Sequence, residues 1–408
     1  MKKANLNRLL LKEYFYIGLS CILVITFLIL SIKQNNKYLV DKEQMAIFID
    51  ESRIDTFPEK GTVVFSSADC DNNVNIEWDN DSWGLYVTNF TTKVKCNLYF
   101  KSGENAVTKI TNLASTDSIN MVSDDADNNI RYIGANPDNY VYFNCSDYAN
   151  QTSDACEKWR IIGVFNNIEK EDGTKENLIK IIRNDSIDNL AFDYTKDQSS
   201  SNYWPNSTLK KLLNDSAYYY AMSGTYYFGT TTSEPKSVDY SKSGLKSNRT
   251  HSAIENIVWH IGGSSTNEIT YKDFYDLERG TEINDGYKTT WLGKVGLIYP
   301  SDYGYATSGG AVKSRNDCLK SNASTWHTTD YEECRNNDYL FKEGHYYWTM
   351  TLITNTTDKV FRIDDNGHVC DAYSYWQDFR VYPVLYLKSN IIITAGNGSP
   401  NSPYQLGI

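Results

Sequence analysis

Eight cysteines, five histidines and a high density of aromatic residues are the groups in this 408-residue chain whose types could carry chemistry. Seven of the cysteines fall along the polar part of the chain, at Cys70, Cys96, Cys145, Cys156, Cys318, Cys334 and Cys370. No C-x-x-C occurs and no pair of histidines sits beside them, so the usual zinc spacings are absent. Disulfides fit these positions if the segment is exported to an oxidising exterior. Local spacing then pairs Cys70 with Cys96, Cys145 with Cys156 and Cys318 with Cys334, leaving Cys370 buried and free. The histidines, His251, His260, His327, His345 and His368, show no i, i+3 or i, i+4 pair and no H-E-x-x-H, and they read as isolated residues. No phosphate-binding G-x-x-x-x-G-K-[ST] and no Gly-x-Ser-x-Gly nucleophile elbow is present. Asp125, Asp127 and Asn129 copy the first three ligand positions of a calcium loop. Ile130 stands where that loop needs Gly, and no Glu follows at the twelfth position, so a solvated acidic loop is expected. The carboxylates are too many to single out a glycosidase pair without geometry. No catalytic residue, metal ligand or cofactor is nominated; calcium has only this weak support.

The late loops offer a different chemistry. Tyr303, Tyr305, Trp326, Tyr331, Tyr346, Tyr373, Tyr375 and Trp376 are interleaved with Ser, Asn and Asp. Tyr and Trp supply rigid amphipathic contact area, and the amides and hydroxyls supply adaptable hydrogen bonds, which suits glycan or protein ligands. Tyr303, Tyr305, Trp326, Tyr373, Tyr375 and Trp376 are the candidate ligand-binding set. The competing reading is compositional: with 32 Tyr in the chain, many must fill a core.

These residues need positioning, and the elements are legible in outline. Residues 14–32, from Tyr14 to Ile32, are 19 uncharged residues behind Lys2, Lys3, Arg8 and Lys12, with Glu13 at the edge. As a helix they reach about 28 Å, close to a bilayer's hydrocarbon thickness. The basic flank keeps the N-terminus cytoplasmic. The run ends in Leu30-Ser31-Ile32-Lys33, without the small-residue pattern of a cleavage site, so an uncleaved single-span signal anchor is expected. Of the chain's net charge of −11, the five charges ahead of the span carry +3, leaving −14 beyond it. That acidic exported portion disfavours nucleic acid as a partner.

The expected order is a cytoplasmic tail (1–13), the anchor (14–32), a stem (33–44), a small all-β domain (45–101), a connector (102–131) and a larger α+β domain (132–408). The small domain has short β-rich runs at 62–65, 74–78, 84–87 and 94–100, predicting a sandwich stapled by one disulfide. The connector carries a helix over 106–113. In the larger domain, 159–165 and 178–183 flank Glu171-Asp172-Gly173 as an antiparallel hairpin. Helices are expected after Asn206-Ser207, after a capping box at Ser252-Ala253-Ile254-Glu255, and over 270–278. Beyond them the chain reads as long loops on strands at 295–299, 347–354, 359–363 and 380–388.

Several segments are familiar. Tyr140 to Phe165 with Leu178 to Asn184, the Asn202-Tyr203-Trp204-Pro205-Asn206-Ser207 run with Leu212-Leu213-Asn214, Gly293 to Gly304 (GKVGLIYPSDYG), and Val381 to Leu387 resemble exported proteins of AT-rich Gram-positive bacteria. Those carry a C-terminal domain of unknown function behind a membrane anchor or a pilin-like leader. More distantly the domain resembles the C-type-lectin-like fold shared with formylglycine-generating enzymes. That resemblance implies a loop-built binding face and neighbouring first and last strands. Here these would be 140–145 and 381–388, with Trp326 and Trp376 on the exposed side. Pro383 stands where the usual Arg-Pro has its proline, but Tyr382 replaces the Arg. The expected protein is a membrane-anchored, extracellular recognition or scaffold module for glycan or protein ligands, not an enzyme. An extracytoplasmic glycan hydrolase or thiol-dependent modifying enzyme, the latter through Cys318 and Cys334, and a minor pilin-like subunit stay open as alternatives. Protein extracted from membranes should keep its anchor: N-terminal sequencing should start ahead of Tyr14, and a start beyond Lys33 would refute the anchor.

Overall fold

The computed structural model describes residues 45–408 except 72–73, 80–81, 89–93, 196–198, 227–234 and 282. The tail, the anchor 14–32 and the stem lie outside the described residues. Among the described residues no helix is long and apolar enough to cross a membrane. The fold is mixed α+β and rich in strand. The described residues form two compact units, 45–58 with 65–100, and 59–64 with 101–408.

The first unit is all β. Its four-stranded sheet runs β2 (Ser52–Ile54), β1 (Met45–Ile49), β6 (Cys96–Ser102), β3 (Val63–Cys70), and β4 (Asn75–Asp79) and β5 (Gly84–Thr88) form a hairpin. The alternation legible in 94–100 is realised: Cys96, Leu98 and Phe100 are buried. The indole of Trp78 in the hairpin stacks on Phe65 at 4.8 Å and meets Phe100 edge-on at 5.3 Å. The unit is therefore a sheet covered by a hairpin, not two matched sheets. A disulfide joins Cys70 to Cys96.

The second unit starts earlier than the sequence suggests. The segment read as a connector belongs to it. Helix α1 (Ala106–Ala114), capped by Asn105, buries Ala106 and Ile110, and Met121–Val122 (β8) and Ile130–Tyr132 (β9) are strands of the main sheet. That sheet has the order β18 (Val295–Gly296), β22 (Val384–Leu387), β12 (Lys175–Arg183), β11 (Glu157–Glu169), β9, β8, with β10 (Tyr140–Phe143) also on β11. The β11–β12 hairpin turns through Gly173, as expected, and its centre is buried on both faces. A second sheet runs β16 (Gly263–Ser264), β19 (Tyr347–Ile353), β20 (Lys359–Ile363), β21 (Val369–Tyr373).

The expected closure of the domain is corrected. β10 and β22 share a sheet, but β11 and β12 separate them. The partner of β10 at the chain's end is instead the segment around Tyr404: Tyr142 N–H donates to the Tyr404 carbonyl at 2.9 Å, and Tyr404 N–H to the Tyr140 carbonyl at 2.9 Å. An apolar β-rich run does not by itself name its neighbour. β22 begins only after Pro383, which has no N–H to give. A second correction concerns the capping box at 252–255. Helix α3 (Asn248–Ala253) starts earlier, capped by Ser247, and Ile257 opens a strand. The helices α2 (Thr208–Asp215), capped by Ser207, and α4 (Tyr271–Glu278), with a Thr270/Asp273 capping box, form where expected. Disulfides join Cys145 to Cys156 and Cys318 to Cys334, and Cys370 is free and buried.

A chain of buried charges crosses this unit. Arg131 on β9 donates from Nη1 to Asp302 at 2.9 Å and from Nε to Asp125 at 2.8 Å, and Lys180 on β12 donates to the other oxygen of Asp302. Each of these side chains is at most 1% exposed. Asp302 also caps helix α5 (Pro300–Gly304) from within, accepting from the Tyr299 N–H at 3.2 Å. The GKVGLIYPSDYG motif is thereby explained: it delivers a carboxylate to two buried cations. Its Gly304 lies against the ring of Tyr271, where any β-carbon would collide. The acidic loop is exposed at Asp124, Asp127 and Asn128, as expected, but its Asp125 and Asn129 are buried, which corrects the reading for those two. Asn129 donates to Asp125 at 3.0 Å and to the Tyr275 hydroxyl at 2.7 Å.

Burial alone would push the Asp302 carboxyl up, but Lys180 and Arg131 outweigh it and hold it at about 2. Glu278 has no such compensation. Burial pushes it up to about 7, against the pull of Arg279 and the bonds from Ser301. Its folded pKa exceeds its ordinary 4.5, so its contribution to stability is complete below pH 4.5 and is lost as pH rises through 7. Asp302 acts the opposite way, and only below its ordinary 3.8. The unfolding free energy should therefore be larger at pH 5 than at pH 8, and Glu278→Gln should shrink that difference by up to about 3 kcal/mol. Denaturant melts at the two pH values check this. Asp302→Asn should cost about 3–5 kcal/mol at pH 7. The double variant Asp302→Asn/Lys180→Met should cost less than the two single changes added together, because no uncompensated ammonium remains beside position 302.

Candidate functional site

The six aromatic candidates divide. Tyr303, Tyr305 and Trp326 are core residues, at most 3% exposed. Trp326, within the loop closed by Cys318–Cys334, packs on Tyr271 at 4.5 Å and Tyr303 at 5.2 Å. Tyr305 faces the Arg131 guanidinium at 5.1 Å. The expectation that Trp326 lies on an exposed face is thus overturned: its ring is fully buried among these tyrosines and its indole N–H is taken up by Ser321. The other three stay near the surface and touch one another. Tyr373 stacks on Tyr375 at 5.2 Å and meets Trp376 at 5.5 Å, with Trp376 43% exposed. Cys318 and Cys334, weighed as reactive thiols, are joined to each other.

The sequence reading missed a concave site, an open groove of ≈ 310 Å³. Its wall is α2. Leu209, Leu212 and Leu213 turn into the core, which leaves Lys210, Asn214 and Asp215 along the groove. Asn214 does the work of a missing strand. Its amide donates to the Val295 carbonyl at 2.8 Å and its oxygen accepts from the Val295 N–H at 2.9 Å, so the helix is tied to the edge of the main sheet.

Three tyrosines follow the helix. Tyr218 is buried, Tyr219 nearly so, and Tyr220 is 57% exposed. The Tyr219 ring stacks on His251 at 4.4 Å, and its hydroxyl accepts from Lys294 at 3.0 Å. The opposite wall is β17 (Thr290–Gly293), paired with β15 (Ile257–His260). It presents Trp291, half-buried against Trp204 at 5.9 Å, and the exposed Leu292. The Trp291 indole lies across Gly293, where any side chain would collide with it.

The polar groups of the groove are partly committed. Lys210 pairs with Asp215 at 2.8 Å, and Asn256 donates to Glu171 at 3.0 Å. Among the described residues Lys294 has no carboxylate within ion-pair distance. The arrangement can stack a flat apolar face on Trp291 or Tyr220 and offer an ammonium and amides to hydroxyls or a carboxylate. It holds no close carboxylate pair, and its one histidine neighbour is occupied, with His251 Nε2 at 2.8 Å from the Tyr219 carbonyl. Side chains that could ligate a metal meet elsewhere, at Asp364, His368 and Cys370. A signal for the groove was available: three consecutive tyrosines after an amphipathic helix cannot all point inward.

No family model, curated protein or solved structure matches this chain. The groove's chemistry therefore has to be argued from its own residues. A variant tests the geometry directly: Asn214→Ala should release α2 from β18 and cost about 2 kcal/mol, since it leaves the buried Val295 amide groups without their partner. Thermal or urea unfolding measures the loss.

Proposed function

We propose that this protein is a non-catalytic surface recognition module that binds glycans in the groove between α2 and β17. The observation that carries the reading is the meeting of Trp291, Tyr220 and Lys294 around one open hollow. Sugar rings present an apolar face that stacks on aromatic rings and hydroxyls that take hydrogen bonds from ammonium and amide groups. The N-terminal apolar span with its basic flank, and the disulfides, favour display outside the cell from a membrane anchor. The likeness to anchored surface proteins with a C-type-lectin-like domain fits the same reading, with the ligand face moved from the late loops to this groove.

The full chain in detergent, applied to a glycan array with and without calcium, tests the proposal. Retention of a defined set of glycans without calcium is the expected result. Tyr220→Ala should weaken binding roughly five- to tenfold, the loss of about 1–1.5 kcal/mol from one aromatic contact, with no change in melting temperature. Trp376→Ala should leave binding unchanged. Loss of binding in Trp376→Ala alone would move the ligand to the Tyr373–Trp376 surface, and release of hydrolysed product would replace recognition by catalysis.

A further inference from the structure

Alternate residues of a strand share a face. In the β20–β21 hairpin Arg362 lies across from Cys370 and Ile363 across from Val369. The loop closes where the Asp364 N–H donates to the His368 carbonyl at 2.9 Å. Asp364 therefore faces His368, and His368 shares its face with Cys370 two residues on. Their ligand atoms all lie within 4.8 Å of one another.

The two oxygens of Asp364 have different duties. Oδ1 accepts the backbone N–H groups of Asn366 at 2.9 Å and His368 at 2.8 Å, the bonds that shape the turn. Oδ2 is turned to His368 Nδ1 at 3.5 Å and Cys370 Sγ at 4.0 Å. A turn of this kind needs only the first oxygen. Ligand atoms around a tetrahedral zinc ion stand about 3.3–3.8 Å apart, given bonds of 2.0–2.3 Å. The second oxygen stands 3.5 Å from the imidazole nitrogen, within that range, and 4.0 Å from the thiol, with all three atoms within 4.8 Å, so a small contraction of the hairpin end completes the spacing.

Three further observations bear on the same spot. The other six described cysteines are in disulfides, and Cys370 alone keeps a thiol. His327, on the loop closed by Cys318–Cys334, brings its ring to 4.8 Å from that of His368. Arg362 is drawn over the rings of Tyr346 and Phe379 at 4.9 and 5.0 Å.

The geometry points to a zinc site formed by the Asp364 carboxylate, the His368 imidazole and the Cys370 thiolate, with the fourth position left to water. Mixed sulfur, nitrogen and oxygen donors select zinc over calcium or magnesium, which take oxygen ligands. On binding, the Cys370 S–H proton leaves to solvent and a sulfur–zinc bond replaces it; no electron is transferred. One carboxylate and one thiolate neutralise the ion, which suits a largely buried site.

The test uses the full chain in detergent with Cys21→Ser, so that Cys370 is the single free thiol, and Co²⁺ as a coloured substitute for Zn²⁺. One equivalent should bind with a thiolate-to-cobalt band in the near ultraviolet, and Zn²⁺ should bleach it. Cys370→Ser should abolish the band. Asp364→Asn keeps an amide oxygen for the turn and should weaken binding at least tenfold with unchanged circular dichroism. No band at saturating Co²⁺, a band that survives Cys370→Ser, or equal affinity in Asp364→Asn overturns the site. Should a variant fail to fold, alkylation of Cys370 in the otherwise unchanged chain decides: Zn²⁺ should slow it at least tenfold, and an unchanged rate overturns the proposal.

Discussion

Asp302 is the residue on which the larger unit depends. It lies in the interior with two cations, Arg131 from β9 and Lys180 from β12, and Arg131 reaches on to Asp125. A lone charge in such a place costs several kcal/mol, and only a complete set of partners offsets that. The set comes from three separated segments, around 125–131, 180 and 302, so it is complete in one arrangement only. A one-residue slip of β12 would turn Lys180 to the opposite face and leave Asp302 with one partner. The aromatic rings around these cations add to the constraint: Lys180 lies 4.5 Å from the Tyr299 ring and Arg131 4.6 Å from that of Phe165.

The groove inherits its position from this centre by short steps. β12 pairs with β22, and β22 with β18, the last strand of the sheet. Beyond that edge the Asn214 amide takes the place of another strand and fixes α2. The same stretch that brings Asp302 inward, from Gly293 to Gly304, begins at the groove with Gly293 and Lys294. A motif that looks like a signature of function is therefore mainly a device of folding, and its first two residues line the groove.

What could be read from the sequence was what depends on near neighbours. The disulfides close 26, 11 and 16 residues, and local spacing was enough to pair them. The caps at Ser207 and Thr270 and the turn at Gly173 are likewise decided within a few residues. Apart from the capping box at 252–255, the failures are contacts that a local pattern does not show. Lys180 stands in Leu178-Ile179-Lys180-Ile181-Ile182, and nothing local says that its partner is 122 residues away. Asp125 looked solvated because Arg131 and Tyr275 are invisible to a loop pattern. Tyr404 was not seen as the neighbour of β10, since its stretch has no apolar run to announce it. His327 and His368 lie far apart in the chain and touch only in the fold.

Tyrosine shows most plainly why composition could not separate binding from packing. Tyr226 donates to the Ala191 carbonyl at 2.8 Å, Tyr299 to His260 at 2.7 Å and Tyr347 to Leu340 at 2.7 Å, each with its ring in the core. For these residues the apolar ring and the hydroxyl are both used inside the protein, and their number follows from the volume to be filled. Trp326 belongs with them, its indole N–H donating to Ser321 at 2.9 Å. Tyr220 is different. It meets Tyr219 at its edge and leaves more than half of its surface to solvent beside a hollow. Exposing that much aromatic area forgoes burial worth on the order of 1–2 kcal/mol, and nothing in the packing around it explains that exposure. A side chain whose position the fold does not need is where a ligand is best sought, and Tyr220, beside the groove, meets that criterion in an aromatic population that is otherwise mostly structural.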